Sequence, residues 1–163
     1  MTARFEEIVR LLVQHEIKFI VVGGWAAAVH GSARTTLDLD VVYSRERENI
    51  RRLVSAVGSI QPYLRGAPLG LPFSFDEKTV RNGLNFTLTT SLGDLDVLGE
   101  VAGGGTYEQL LPFTVELPLL GMRCRCVTLE RLIQLKRAAG RAKDLQVLAE
   151  LEALLEERRK AGL

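Results

Sequence analysis

Val21-Val22-Gly23-Gly24-Trp25 … Arg34-Thr35-Thr36-Leu37-Asp38-Leu39-Asp40-Val41-Val42 is the stretch from which the rest of the chain is read. An apolar run ends in a Gly-Gly turn, a short Ala-rich segment follows, and two aspartates then alternate with Leu37, Leu39 and Val41. Alternation is the period of a strand, whose successive side chains point to opposite faces. Asp38 and Asp40 therefore share one face, roughly 7 Å apart. Two carboxylates that close, on an otherwise apolar strand, are costly unless something neutralises them. A hard divalent cation does so, and carboxylate oxygens suit Mg²⁺. The plain alternative is a polar strand edge facing water. The Gly-Gly turn before it, and a second Asp-x-Asp at Asp94-Leu95-Asp96, weigh against that alternative.

Working outward, Phe5, Ile8, Leu11, Leu12 and His15 fall at helical spacing and predict a helix over Arg4–His15. Lys18–Val22 reads as a short buried strand. Gly23-Gly24 ends it, lets the chain turn and leaves room for a ligand against the main chain. Trp25–His30 is Ala-rich and predicts a helix, whose free N–H groups at the start would favour an anion. The plain reading of the same glycines is a tight strand-to-helix turn. Arg34 is either a phosphate contact or a solvated loop arginine.

Leu37–Tyr43 is the aspartate strand. Ser44 is expected to cap a helix reaching about Val57, with Arg45, Arg47, Arg51 and Arg52 on its solvated face. Gly58–Asp76, with Pro62, Pro68 and Pro72, reads as a loop with short strands near Pro62–Arg65 and Phe73–Phe75. A helical turn at Glu77–Arg81, an Asn82-Gly83 turn and a strand over Leu84–Thr89 lead to Asp94–Leu98, where the grammar of the first aspartate strand repeats. Gly103-Gly104-Gly105 is a loop and Tyr107–Leu110 a helical turn. Phe113–Leu117 and Met122–Val127 are expected to pair through a Pro118-Leu119-Leu120-Gly121 turn. Thr128 caps a helix over Leu129–Ala139, Gly140 breaks it, and Arg141–Arg159 is a longer helix. Lys136 falls on the apolar face of the first of these helices and Asp144 in line with that of the second. That suggests a half-buried polar cluster, either a structural ion pair or a lysine that reaches phosphate.

The 163 residues are 47% hydrophobic and 25% charged, the composition of an ordinary globular protein with a real core. The net charge of +1 announces no general affinity for nucleic acid. Cys124 and Cys126 lack the company of further cysteines, and His15 and His30 are remote in sequence, which argues against zinc. Two thiols in a reducing cytosol is the simpler reading. The amphipathic start with Glu6 and Glu7 is unlike a signal peptide, and no apolar run approaches membrane-spanning length, so a cytoplasmic protein is expected.

Gly-Gly, thirteen residues, then a hydrophobic-flanked Asp-x-Asp resembles the signature of the nucleotidyltransferase superfamily with the DNA-polymerase-β-type fold. More narrowly, the Gly-Gly-Trp spelling and the Arg34-x-Thr36-x-Asp38-x-Asp40 run resemble the small bacterial nucleotidyltransferase-like proteins related to the AbiEii toxin and lincosamide nucleotidyltransferase groups. The run Lys136-Arg137-Ala138-Ala139-Gly140-Arg141-x-Lys143-Asp144 resembles their C-terminal signature. The resemblance implies an α/β (α+β) fold, a small mixed β-sheet carrying the aspartates, with helices packed on one side and a C-terminal helical pair. It implies one domain over residues 1–163, with a core of about 1–127 and C-terminal helices of about 128–160.

The implied activity is transfer of an NMP from an NTP to a hydroxyl of an acceptor that is a small molecule, a protein or RNA. Two Mg²⁺ ions would be held by Asp38 and Asp40, with Asp96 as the third carboxylate and candidate base and Asp94 as its substitute. Gly23, Gly24, Arg34, Thr36 and Lys136 would bind the nucleotide. A homodimer or a toxin–antitoxin partner protein is the expected company, because the acceptor-binding domain of larger relatives is missing or reduced to the last two helices. The competing reading is a non-catalytic or antitoxin-type nucleotide-binding module, against which the intact Asp38, Asp40 and Asp96 argue. A toxin acting on tRNA ends would need a basic groove, and an enzyme modifying a cationic antibiotic would need acidic acceptor residues, for which Asp76, Glu77 and Glu100 are available.

Overall fold

The computed structural model describes residues 2–162, so Met1 and Leu163, the ends of the expected domain, lie outside the described residues. The chain begins with α1 (Thr2–Gln14), whose Phe5, Ile8, Val9 and Leu12 are buried as the spacing requires. The fully apolar β1 (Phe19–Val22) runs directly into α2 (Gly23–Val29), so Gly23 and Gly24 form the first turn of this helix rather than a separate turn before it. After the aspartate strand β2 (Asp38–Tyr43) comes α3 (Arg47–Gly58). Ser44 does not cap α3. It is fully buried, its Oγ accepts from the Glu46 N–H at 3.3 Å, and Glu46 is the capping position. Arg45 also leaves the solvated face: its Nη1 donates to Tyr43 Oη at 2.6 Å and to Val80 O at 3.2 Å.

The Gly- and Pro-rich segment yields only β3 (Tyr63–Leu64). Phe73–Phe75 is irregular; the Phe75 ring is buried edge-on against Phe86 at 5.8 Å, so packing without strand pairing satisfies it. Then follow α4 (Glu77–Asn82), β4 (Asn85–Thr90) and β5 (Gly93–Leu98). The glycine-rich loop closes a small hairpin, β6 (Glu100–Val101) with β7 (Gly105–Thr106), ahead of α5 (Tyr107–Leu110). β8 (Thr114–Leu119) and β9 (Met122–Val127) pair antiparallel through Leu120-Gly121, both at positive φ (53° and 81°), as a two-residue hairpin turn demands. Pro118 and Leu119 therefore belong to the strand and not to the turn. Pro118 is tolerated because β8 is an edge strand and need not donate on its outer side. Thr128 caps α6 (Leu129–Ala139), accepting from the Arg131 N–H, and Gly140 in the left-handed region (φ 65°) closes it before α7 (Ala142–Lys160).

The large sheet is mixed, in the order β3-β4-β5-β2-β1-β9-β8. β2 lies parallel to β5 and β1 parallel to β9; the other pairs are antiparallel. Leu39 and Val41 of β2 and Leu95 and Val97 of β5 join α1 and α3 residues in one buried cluster. This burial fixes the register, because a one-residue slip would drive aspartates into that cluster.

Candidate active site

The parallel register of β2 and β5 sets Asp38 beside Asp94 and Asp40 beside Asp96. Leu39, Val41, Leu95 and Val97 point into the core, so all four carboxylates stand on the other face. Oxygens of Asp38, Asp40 and Asp96 lie within 4.8 Å of one another. Asp94 is not in this group; its Oδ2 lies 3.3 Å from the Arg65 Nε. Asp40 is the innermost carboxyl. Burial, and then the charges of Asp38 and Asp96, push it up to about 8. Its Oδ1 is buried and has no hydrogen-bond partner. An orphaned carboxylate oxygen within an all-oxygen donor set suits a hard divalent cation.

The Gly-Gly turn is built around these aspartates. Val22 pairs with Asp40 across the β1–β2 ladder, so the next residue lies over the Asp40 side chain. A Cβ on Gly23, which sits at φ 68°, would overlap the Asp40 carboxylate. A Cβ on Gly24 would come within 2.5 Å of Thr36 Oγ1, and that hydroxyl donates to Asp38 O at 3.1 Å.

Lys136 and Asp144 meet as their helical positions suggested, with Nζ 3.3 Å from Oδ1. Asp144 is fully buried, and Arg141 closes its other side, Nε to Oδ2 at 2.6 Å. Burial alone would raise the Asp144 carboxyl, but the Arg141 hydrogen bond and the Lys136 charge hold it below the ordinary carboxylate range. Arg34 is exposed; its Nη2 donates to Gln146 O at 3.1 Å and its Nε lies 3.9 Å from Glu150.

Two clefts meet at Asp40, Lys136 and Arg141. One, of about 330 Å³, is polar, with Gly24, Arg34, Thr36, Asp38, Asp96 and Lys143 in its walls. The other, of about 220 Å³, is more apolar, with Gly23, Leu98, Val101, Leu132, Asn85 and Glu100.

Sequence reasoning missed two cations. In the sequence Arg141 stands as a helix start and as a member of the C-terminal run that resembles the family's signature, with no partner assigned to it. Arg65 stands only as the end of a short strand in a loop. Its main-chain N–H donates to Thr87 O at 3.0 Å, and Thr87 pairs with Asp96, so the three residues form one row across the sheet. From there the guanidinium reaches Asp96 Oδ1 at 2.7 Å and lies 3.8 Å from Asp38 Oδ2. The signal is a register over three strands, which no local pattern carries. Cys124 and Cys126 are buried free thiols that burial pushes up to about 11 and about 12, the state of inert core thiols.

No family model and no curated protein matches the sequence. Solved structures do. The chain is similar to the lincomycin-bound lincosamide antibiotic adenylyltransferase LnuA, with a TM-score of 0.63 at 12% identity, over 94% of this chain and 98% of that one. It is similar to a protein of Thermotoga maritima described as a candidate nucleotidyltransferase, with a TM-score of 0.57 at 16% identity, over 94% and 91%. It is also similar to the antibiotic-resistance factor ANT(2'')-Ia, with a TM-score of 0.52 at 16% identity, over 98% and 91%. The fold is that of the nucleotidyltransferases. At these identities the likeness is one of fold, and the chemistry must be argued from the side chains. Among the described residues no helix is long and apolar enough to cross a membrane.

Proposed function

We propose that this protein is a Mg²⁺-dependent nucleotidyltransferase that moves a nucleoside monophosphate from a nucleoside triphosphate to a hydroxyl of a small acceptor. The observation that carries this reading is the meeting of two clefts over three converging carboxylates, one with an unpartnered buried oxygen. Asp38, Asp40 and Asp96 would hold the metal, which when bound supplies charge neutralisation of the phosphates and a lower pKa for the acceptor hydroxyl.

The chain's own residues do the rest. Lys136 and Arg141, with Arg34 and Lys143 further along the polar cleft, bind the triphosphate by charge. Thr36 lines the same cleft with its hydroxyl held by Asp38 O, and Gly23 and Gly24 let the main chain pack directly against Asp40 and Thr36. The acceptor enters the apolar cleft, in whose wall Asn85 and Glu100 are polar groups that can orient it. Its oxygen attacks the α-phosphorus, the bond to the β-phosphate oxygen breaks, pyrophosphate leaves, and Asp96 takes the hydroxyl proton. Positioning and charge neutralisation are what such a reaction asks of a protein. A small acceptor is supported by LnuA, a lincosamide adenylyltransferase that is lincomycin-bound and is matched over 98% of its own length.

Calorimetric titration with ATP, GTP, CTP and UTP, with and without Mg²⁺, tests the reading. Binding of at least one nucleotide that needs Mg²⁺ and is lost in Asp38→Ala is expected. No binding of any of the four would overturn it.

A further inference from the structure

The aspartate face already carries a cation of its own. Arg65 Nη2 donates to Asp96 Oδ1 at 2.7 Å and to Leu88 O at 2.6 Å. Its Nε lies 3.3 Å from Asp94 Oδ2, though not aligned for a hydrogen bond, and its Nη1 lies 3.8 Å from Asp38 Oδ2. One half-buried guanidinium thus faces three of the four carboxylates, and two of those three belong to the group that can hold a metal. Asp40, the fourth, is left out, and it is the carboxylate with the orphaned oxygen. Lys136 and Arg141, the two cations where the clefts meet, are each engaged by Asp144.

We infer that Arg65 is the resident counter-cation of this site and competes with a divalent ion for Asp38 and Asp96. The inference rests on the reading of those carboxylates as a metal site. A fixed positive charge within hydrogen-bond distance of a ligand oxygen lowers the affinity of that oxygen for a second cation. The empty protein therefore binds a divalent ion weakly. A triphosphate adds the negative charge that lets the ion and Arg65 be accommodated together, so metal and nucleotide enter cooperatively. Arg65 is in this sense a positioning residue: it holds Asp96 on one oxygen and sets when the site fills.

The test is titration of the protein with Mn²⁺ alone, free ion being counted by electron paramagnetic resonance. Arg65→Gln should bind Mn²⁺ about tenfold or more tightly than the natural protein, the order expected from losing one adjacent charge. Arg65→Lys, which keeps the charge and loses the fork, should stay within about threefold of the natural protein. A merely structural arginine would not separate these two variants in this direction. Asp38→Ala should weaken binding in either background. Equal affinity for the natural protein and Arg65→Gln, with Asp38→Ala still weakening both, would overturn the role of Arg65 and leave the metal site standing. Absence of Mn²⁺ binding in both would overturn both. If Arg65→Gln fails to fold, the natural protein decides. The side-chain Nε–H nitrogen signal of Arg65, identified by its loss in Arg65→Lys, should shift as Mg²⁺ saturates the site. An unmoved signal at saturation would overturn the inference.

Discussion

Gly23 holds a position that no residue with a Cβ could take without moving the Asp40 carboxylate. The sequence suggests a glycine there to turn the chain and leave room for a ligand. The space its missing side chain leaves is instead filled by the Asp40 carboxylate of the same molecule. The turn and the acidic strand, thirteen residues apart, are thus two halves of one packing arrangement. Gly23→Ala would add both a clash and a left-handed alanine, since φ is 68°. We expect it to cost about 1–3 kcal/mol of stability. It should also weaken Mg²⁺-dependent nucleotide binding by about tenfold or more, because the displaced group is a proposed metal ligand. Gly24→Ala is the comparison, since its Cβ would meet Thr36 and not a carboxylate. Urea unfolding and calorimetry on both variants check this; a Gly23→Ala protein that binds like the natural one would refute the interlock.

At the scale of elements, α6 and α7 are held at their shared end by one buried carboxylate under two cations. Asp144 has no exposure, accepts from Arg141 and pairs with Lys136, itself largely buried. Asp144→Ala leaves Lys136 without its partner, and breaking a buried pair from one side costs about 3–5 kcal/mol. Asp144→Asn should cost less, because an amide oxygen can still accept from the Arg141 N–H that the carboxylate now takes at 3.2 Å. Chemical denaturation midpoints in that order are the expected result; equal and small losses would mean the helix pair is held by its apolar stripes alone.

This pair was legible because helical spacing puts Lys136 and Asp144 on facing stripes. The alternation of Asp38 and Asp40 with Leu39 and Val41 was legible for the same local reason. What the sequence concealed depends on register between distant segments. Arg65 reaches Asp96 only because β3, β4 and β5 align one row. Ser44 is a good cap by type, yet tertiary packing buries it two residues before the helix cap. Pro118 reads as a turn residue until its strand is known to be an edge.

For the molecule as a whole, two titratable groups, the buried His30 and the half-buried Asp40, make stability depend on pH in opposite senses. His30, at the end of α2, lies between β9 and α7: one ring nitrogen is 2.7 Å from Val127 O and the other 3.0 Å from Arg158 Nη2. Arg158 can only donate, so Nδ1 accepts, Nε2 carries the hydrogen, and the ring is neutral. Burial, aided by the Arg158 charge, holds its pKa below the ordinary histidine value, against the hydrogen bond to Val127. Below about pH 6.5 the unfolded chain takes up a proton that the folded chain resists, so this contribution is complete above that pH and is lost as pH falls through it. Asp40 works the other way. With its folded pKa raised to about 8, the folded chain holds a proton that the unfolded chain gives up near pH 4, and stability from this group declines as pH rises toward 8. Each slope is bounded by about 1.4 kcal/mol per pH unit for one proton. Melting the metal-free natural protein, His30→Gln and Asp40→Asn at intervals from pH 5 to 8 separates the two. Relative to the natural protein, His30→Gln should lose the decline on the acid side and Asp40→Asn the decline on the alkaline side. Adding Mg²⁺ should flatten the alkaline decline in the natural protein alone, because the ion takes over from the proton as the countercharge of Asp40. An alkaline decline that survives in Asp40→Asn would assign it to some other group and remove the link between protonation and metal at this site.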